Sequence, residues 1–225
     1  MVIDPSKFHR VNVADTCSVW NVLSSTRLYA ASQEANCEFC MTAFVHYECL
    51  VKPRTNPTEA DLELRERLKR EQQRGKFKPH SCSIGDLQAI ADLESRRRLG
   101  KGELSSIAFA TRIGQAFITD DQKARRLSVS VGNTLTQTTP HLHSWLIFKN
   151  LLTDADHCTV TSQHQSMGGS LAPHFNVAYD LALQCRFNMH LAANLAASAS
   201  VPTAMPPCPE LNPGTEPLWP ARDEH

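Results

Sequence analysis

Apolar and polar residues change their period repeatedly along this chain, and each change marks an element. Residues 8–15, FHRVNVAD, alternate and end in Asp15, which predicts a short first strand. In TCSVWNVLSSTRLYAASQEA the residues Val19, Val22 and Leu23 recur at helical spacing, so a helix follows. A second strand is predicted at residues 37–44, and VHYECLVK then reads as a short helix carrying Glu48 and closed by Pro53. Residues 58–74 form a charged helix with Thr58 as its cap, Glu59 and Asp61 in its first turn, and a thin inner face of Leu62, Leu64 and Leu68. Residues 83–99 are a helix with Ile84, Leu87, Ile90 and Ala91 inward. Gly100 and Gly102 break it, and a new helix opens at Glu103 with Leu104, Ile107, Ala108 and Thr111 along one side. Gly114 ends that helix, AFIT is a short buried strand, and QKARRLSVSV is a further helix or helix plus strand. TPHLHSWLIFKNLLTDAD reads as one helix, residues 160–174 as a polar stretch with Gly and His, and FNVAYDLALQCRFNMHLAANLAA as a last helix.

Strands that alternate with helices argue for an α/β fold with a parallel central sheet. Ligands of such sheets sit beyond the carboxyl ends of the strands. Asp15 and the Asp120–Asp121 pair both follow strands, so separate acids reach one edge of one sheet. The expected organisation is an α/β domain over residues 1–150, a helical extension over 151–200 and a Pro-rich, disordered tail over 201–225.

Composition narrows the classes. The 225 residues carry 23 basic and 23 acidic side chains, so any attraction to a polyanion must be local. MVIDPSKFHR lacks the apolar core of a signal peptide, and the most apolar stretch, FNMHLAANLAASASV, is short and broken by His190 and Asn194. A cytoplasmic location without a membrane span is the expectation. The eight cysteines then read as reduced thiols, and Cys37–Cys40 lacks the second pair that a structural zinc site needs.

Five acids stand out: Asp15, Glu48, Glu103, Asp120 and Asp121. Carboxylates brought to one rim repel one another unless a hard cation such as Mg²⁺ or Mn²⁺ lies between them. Without the ion their pKa values should rise. Asp86, Asp92 and Glu94 read instead as helix acids that are either exposed at the surface or paired with Arg96, Arg97 and Arg98. Arg97, Arg98 and Lys101 precede Glu103, and Lys123, Arg125 and Arg126 follow Asp121, which gives the acids a basic flank suited to phosphates. Aromatics that could stack bases are few, namely Trp20, Tyr29 and Tyr47, and the histidines carry no metal role.

The string GKGELSSIAFATRIGQAFITDDQKARRL, taken with Asp15 and Glu48 upstream, resembles the PIN domain family of metal-dependent nucleases over roughly residues 8–150. The resemblance implies a Rossmann-like α/β/α sandwich. It also implies that Asp15, Glu48 and Glu103 match the first three acids. In the family's T-x-D pattern Thr119 and Asp121 fit, with Asp120 as the neighbour. The implied activity is Mg²⁺- or Mn²⁺-dependent hydrolysis of RNA. A toxin role with an antitoxin partner is one form of it, and a homodimer is another implied association. Residues beyond 150 have no counterpart in that pattern. The alternative reading is a PIN-like module with a degenerate site that works as a binding or scaffold protein.

Overall fold

The computed structural model describes residues 3–96, 99–133 and 135–199. Strands β1 (Val11–Ala14), β2 (Glu38–Thr42), β3 (Lys78–His80), β4 (Ala116–Ile118) and β5 (Thr136–Gln137) form one sheet in the order β3-β2-β1-β4-β5. All four pairings are parallel, with Val13 flanked by Cys40 and Phe117. The chain winds outward from β1 in both directions, so β1 and β4 form the switch point where α/β sheets open their ligand crevice. β1, β2 and β4 follow the apolar pattern. β3 and β5 do not: Lys-Pro-His is wholly exposed, and β5 has only two residues.

The predicted helix after β1 is two helices, α1 (Thr16–Ser24) and α2 (Thr26–Glu34). Ser25 breaks them apart by adopting an extended backbone and accepting the Leu28 N–H on its side chain. After β2, α3 (Ala43–His46) runs into a wide π-helical turn, Tyr47–Val51. α4 (Glu59–Gln73) starts with the full Thr58–Asp61 capping box. Then come α5 (Ile84–Arg96), α6 (Lys101–Ile113) and α7 (Gln122–Ser130). Gly114 closes α6 in the left-handed region, as predicted. In α5 the buried positions are Ile90 and Leu93, whereas Ile84 and Leu87 are exposed; in α6, Thr111 is exposed. The single helix expected from residue 139 is α8 (Thr139–Phe148) and α9 (Asp154–Ser166), because Asn150 turns left-handed and Thr153 with Asp156 builds a second capping box. α10 spans Ala172–Ala199.

Side chains alternate across the sheet into two apolar layers. Ala14, Phe39, Met41 and Ile118 join the layer containing α1, α2 and α8. Val13 and Phe117 join the layer containing α5, α6 and α7. The result is an α/β protein with a parallel sheet flanked by helices. Val160, Phe175 and Ala182 complete the first layer, and the compact unit runs Met1–Met189, so the boundary expected at 150 does not hold. A second unit begins at His190 and is helical as far as Ala199; the expected tail at 201–225 lies outside the described residues.

Long-range polar contacts fasten the two ends of the first unit. Gln163 Oε1 accepts from the Ser25 and Thr26 hydroxyls and the Arg27 N–H. Arg27 Nε donates to Asp156 at 2.7 Å, Ser24 Oγ bonds His164 Nδ1 at 2.7 Å, and Gln137 Nε2 donates to Asn12 at 2.7 Å. The described cysteines are free thiols, and no described helix is long and apolar enough to cross a membrane.

Candidate active site at the carboxyl edge of the sheet

Asp15 follows β1 and caps α1. Its Oδ1 accepts the Ser18 N–H at 2.8 Å and the Cys17 thiol at 3.1 Å. The residue is fully buried; Oδ2 makes no well-formed hydrogen bond, and the Thr119 hydroxyl lies close enough to act on its charge. Burial pushes its pKa up to about 6, helped by the Asp120 charge and opposed by the Thr119 hydroxyl, the Ser18 N–H and Cys17. The Cys17 thiol is pushed far above its ordinary range by burial and then by Asp15 and Asp120, which keeps it protonated.

Glu48 stands on the π-helical turn. Its Oε2 accepts the Thr16 hydroxyl at 2.5 Å, and its Oε1 accepts the Gly102 N–H at 3.2 Å. A side chain at 102 would meet this carboxylate and require Glu48 to shift. Glu48 thus lies at the N-terminus of α6, where the helix dipole favours an anion. Glu103, in the first turn of α6, folds toward Gly100, and its Oε2 is buried without a donor. Burial raises the Glu103 pKa first. The charges of Glu48 and Asp121 raise it further, while backbone bonds at Glu103 and Gly100 act the other way.

Asp120 and Asp121 follow β4 and do different work. Asp121 caps α7, its Oδ1 accepting from the Lys123 N–H at 2.6 Å and the Ala124 N–H at 2.9 Å. Its own N–H donates to Thr119 Oγ1 at 3.2 Å. Asp120 spends both oxygens on structure. It accepts from Asn21 Nδ2 at 2.8 Å, the Thr139 N–H at 2.9 Å and the Thr139 hydroxyl at 2.6 Å.

Hydrogen bonds link Thr16, next to Asp15, to Glu48 and Glu48 to Gly102, next to Glu103, while the Asp120 charge acts on Asp15 and the Asp121 charge on Glu103. The five acids therefore share one rim at the switch point. They do not meet in a cage, since among the described residues no three His, Cys, Asp or Glu side chains are gathered closely enough to hold a metal ion. The reason is local: Glu48, Asp120 and Asp121 are each turned toward hydroxyl or N–H donors.

The basic flank is only partly described. Arg97 and Arg98 lie outside the described residues. Lys101, Lys123 and Arg126 are exposed, and Arg125 is half-buried. Arg125 and Arg126 line a separate hollow with Gln122, Val129 and Thr138. Asp86 is not a surface acid. It is buried, bonded to Arg112 Nε at 2.7 Å, and its pKa is lowered because that bond and those from Ser83 outweigh desolvation. Trp20 lies under the Arg54 guanidinium, Tyr29 donates to Glu71, and Tyr47 is exposed. Sequence reasoning missed Thr16, Asn21, Gly102 and Thr139. Thr16 and Gly102 adjoin candidate acids, which was the available signal; Asn21 and Thr139 carried none.

The chain matches no protein-family model and no curated protein sequence. The class that fold and site define is a parallel-sheet α/β protein with an acidic rim at its switch point.

Proposed function

We propose that this chain is a metal-dependent nuclease of the PIN type that hydrolyses phosphodiester bonds in RNA. The observation that carries the reading is the pair of buried carboxylate oxygens, Asp15 Oδ2 and Glu103 Oε2, that make no well-formed hydrogen bond at the rim shared with Glu48 and Asp121. A buried acceptor without a well-formed bond calls for a proton or a cation. The set consists of hard oxygen donors, which fits Mg²⁺ or Mn²⁺ in chemistry. Holding the ion would require Glu48 and Asp121 to turn from their present donors so that their carboxylates join those of Asp15 and Glu103. When bound, such an ion neutralises phosphate charge and lowers the pKa of water. The protein's own part is positional. Thr16 and Gly102 fix Glu48, Thr119 orders the turn into Asp121, and exposed Lys101 and Lys123 draw the phosphate backbone toward the rim.

The second reading is a binding or scaffold module with a degenerate site. The observation favouring it is that the acids are held apart by their own hydrogen bonds. One experiment separates the two. End-labelled single-stranded RNA is incubated with Mn²⁺ and either the parent or Asp15→Asn, while thermal shifts are read with and without Mn²⁺. The nuclease reading expects cleavage and a Mn²⁺-dependent rise in Tm for the parent, both lost in the variant. Equal inactivity at high protein concentration, with no Mn²⁺ shift, establishes the scaffold reading.

A further inference from the structure

A cleft of about 880 Å³ runs along β2 and β3, from Val11 and Glu38 at the amino ends of β1 and β2 to His80 and Ser81 at the carboxyl end of β3. The last turn of α6 walls it. Arg112 on that helix stands ten residues beyond Gly102, so about 15 Å of helix rise separates this cation from the acidic rim. The volume lies in the range of small-ligand sites.

The cleft is cationic. Arg74, Lys76, Lys78 and Arg112 line it against the single acid Glu38. Lys76 and Lys78 have no ion-pair partner among the described residues. Their positions are fixed by the backbone between them: Phe77, at φ 48°, is buried and stacks on Phe39 with ring centres 5.6 Å apart. A left-handed phenylalanine is strained, and burial of its ring holds it there. Arg112 is fixed as well. Its Nε is tied to the buried Asp86, whose other oxygen takes the Ser83 N–H and hydroxyl. Its terminal nitrogens are left available for a bidentate anion.

A ring platform lies among these cations. His80 is exposed and stacks on Phe109 at 5.1 Å and 26°, and the Arg112 guanidinium lies 5.0 Å from the same Phe109 ring. Clustered cations suit phosphate, and an exposed planar ring suits a base. We propose that this cleft is a nucleotide-binding site, with phosphate held by Lys76, Lys78 and Arg112 and the base stacked on His80. The nucleotide is either free or one unit of a single strand. The site stands independently of the nuclease reading.

The test is calorimetric titration, in EDTA and low salt, with ATP, adenosine, inorganic pyrophosphate and a ten-residue single-stranded oligonucleotide. The proteins are the parent, Lys76→Glu/Lys78→Glu and His80→Ala, each checked for an unchanged melting transition. Arg112 is left intact because its loss strands the buried Asp86. The double reversal should weaken nucleotide binding at least about tenfold. His80→Ala should weaken ATP or oligonucleotide about threefold to tenfold and leave pyrophosphate unchanged. Tighter ATP than oligonucleotide identifies a free nucleotide, and the reverse identifies a strand. Absence of binding, binding indifferent to the Lys reversals, or pyrophosphate binding as tightly as ATP overturns the proposal.

Discussion

Asp15 divides its duties between two oxygens: Oδ1 caps α1, and Oδ2 is buried with no well-formed hydrogen bond. The second is costly. A folded-state pKa of about 6, above the ordinary 3.8, means the native protein holds a proton that the unfolded chain has released. Below about pH 4 both states are protonated and nothing is lost. Between pH 4 and 6 stability falls as pH rises, and above 6 the full cost, on the order of 3 kcal/mol, is present. Asparagine keeps the cap and removes the charge. Asp15→Asn should therefore be more stable than the parent at pH 7.5 and indistinguishable from it near pH 4, measured by urea unfolding across that range. A parent whose stability is flat over the same window would contradict the burial argument. The placement of Asp15 and Asp121 was legible in the sequence because each ends an apolar run. The burial of Asp86 was not, because its partner Arg112 lies on a different helix.

Between elements, the turn after β4 assigns two adjacent acids to two helices. Asp120 anchors the start of α8 to α1, while Asp121 caps only α7. Asp120→Ala removes three bonds to a carboxylate and should cost about 3 kcal/mol in chemical unfolding. Asp121→Asn keeps a capping oxygen and should cost no more than about 0.5 kcal/mol. In the RNA assay the order reverses, with Asp121→Asn losing activity while properly folded. Element type was readable wherever apolar spacing was strong, as in β1, β2, α4 and α6. It failed where tertiary contacts decided the outcome. β3 carries no apolar residue and exists by pairing with β2. The break between α1 and α2 is a serine cap on Leu28, held further by the Ser25 bond to Gln163, a contact that no local pattern encodes.

At the level of the whole molecule, α9 and the first part of α10 belong to the core and are not an appendage. A chain ending at residue 150 loses Leu152, Val160 and Phe175 from the first apolar layer. Burying those side chains is worth about 5 kcal/mol or more, comparable to the net stability of a domain. Such a truncation should show no cooperative thermal transition by circular dichroism.

The bond from Gln163 to the Ser25 hinge has a consequence for synthesis. While the ribosome is still making the middle of the chain, Ser24, Ser25 and Arg27 lack the partners they take from residues 156–164, and β1 lacks β4 on one side. Nascent protein must carry an unfinished first third until those later codons are read. Closure across so long a sequence separation is slow, and the emerging polypeptide is open to chaperone capture throughout that interval.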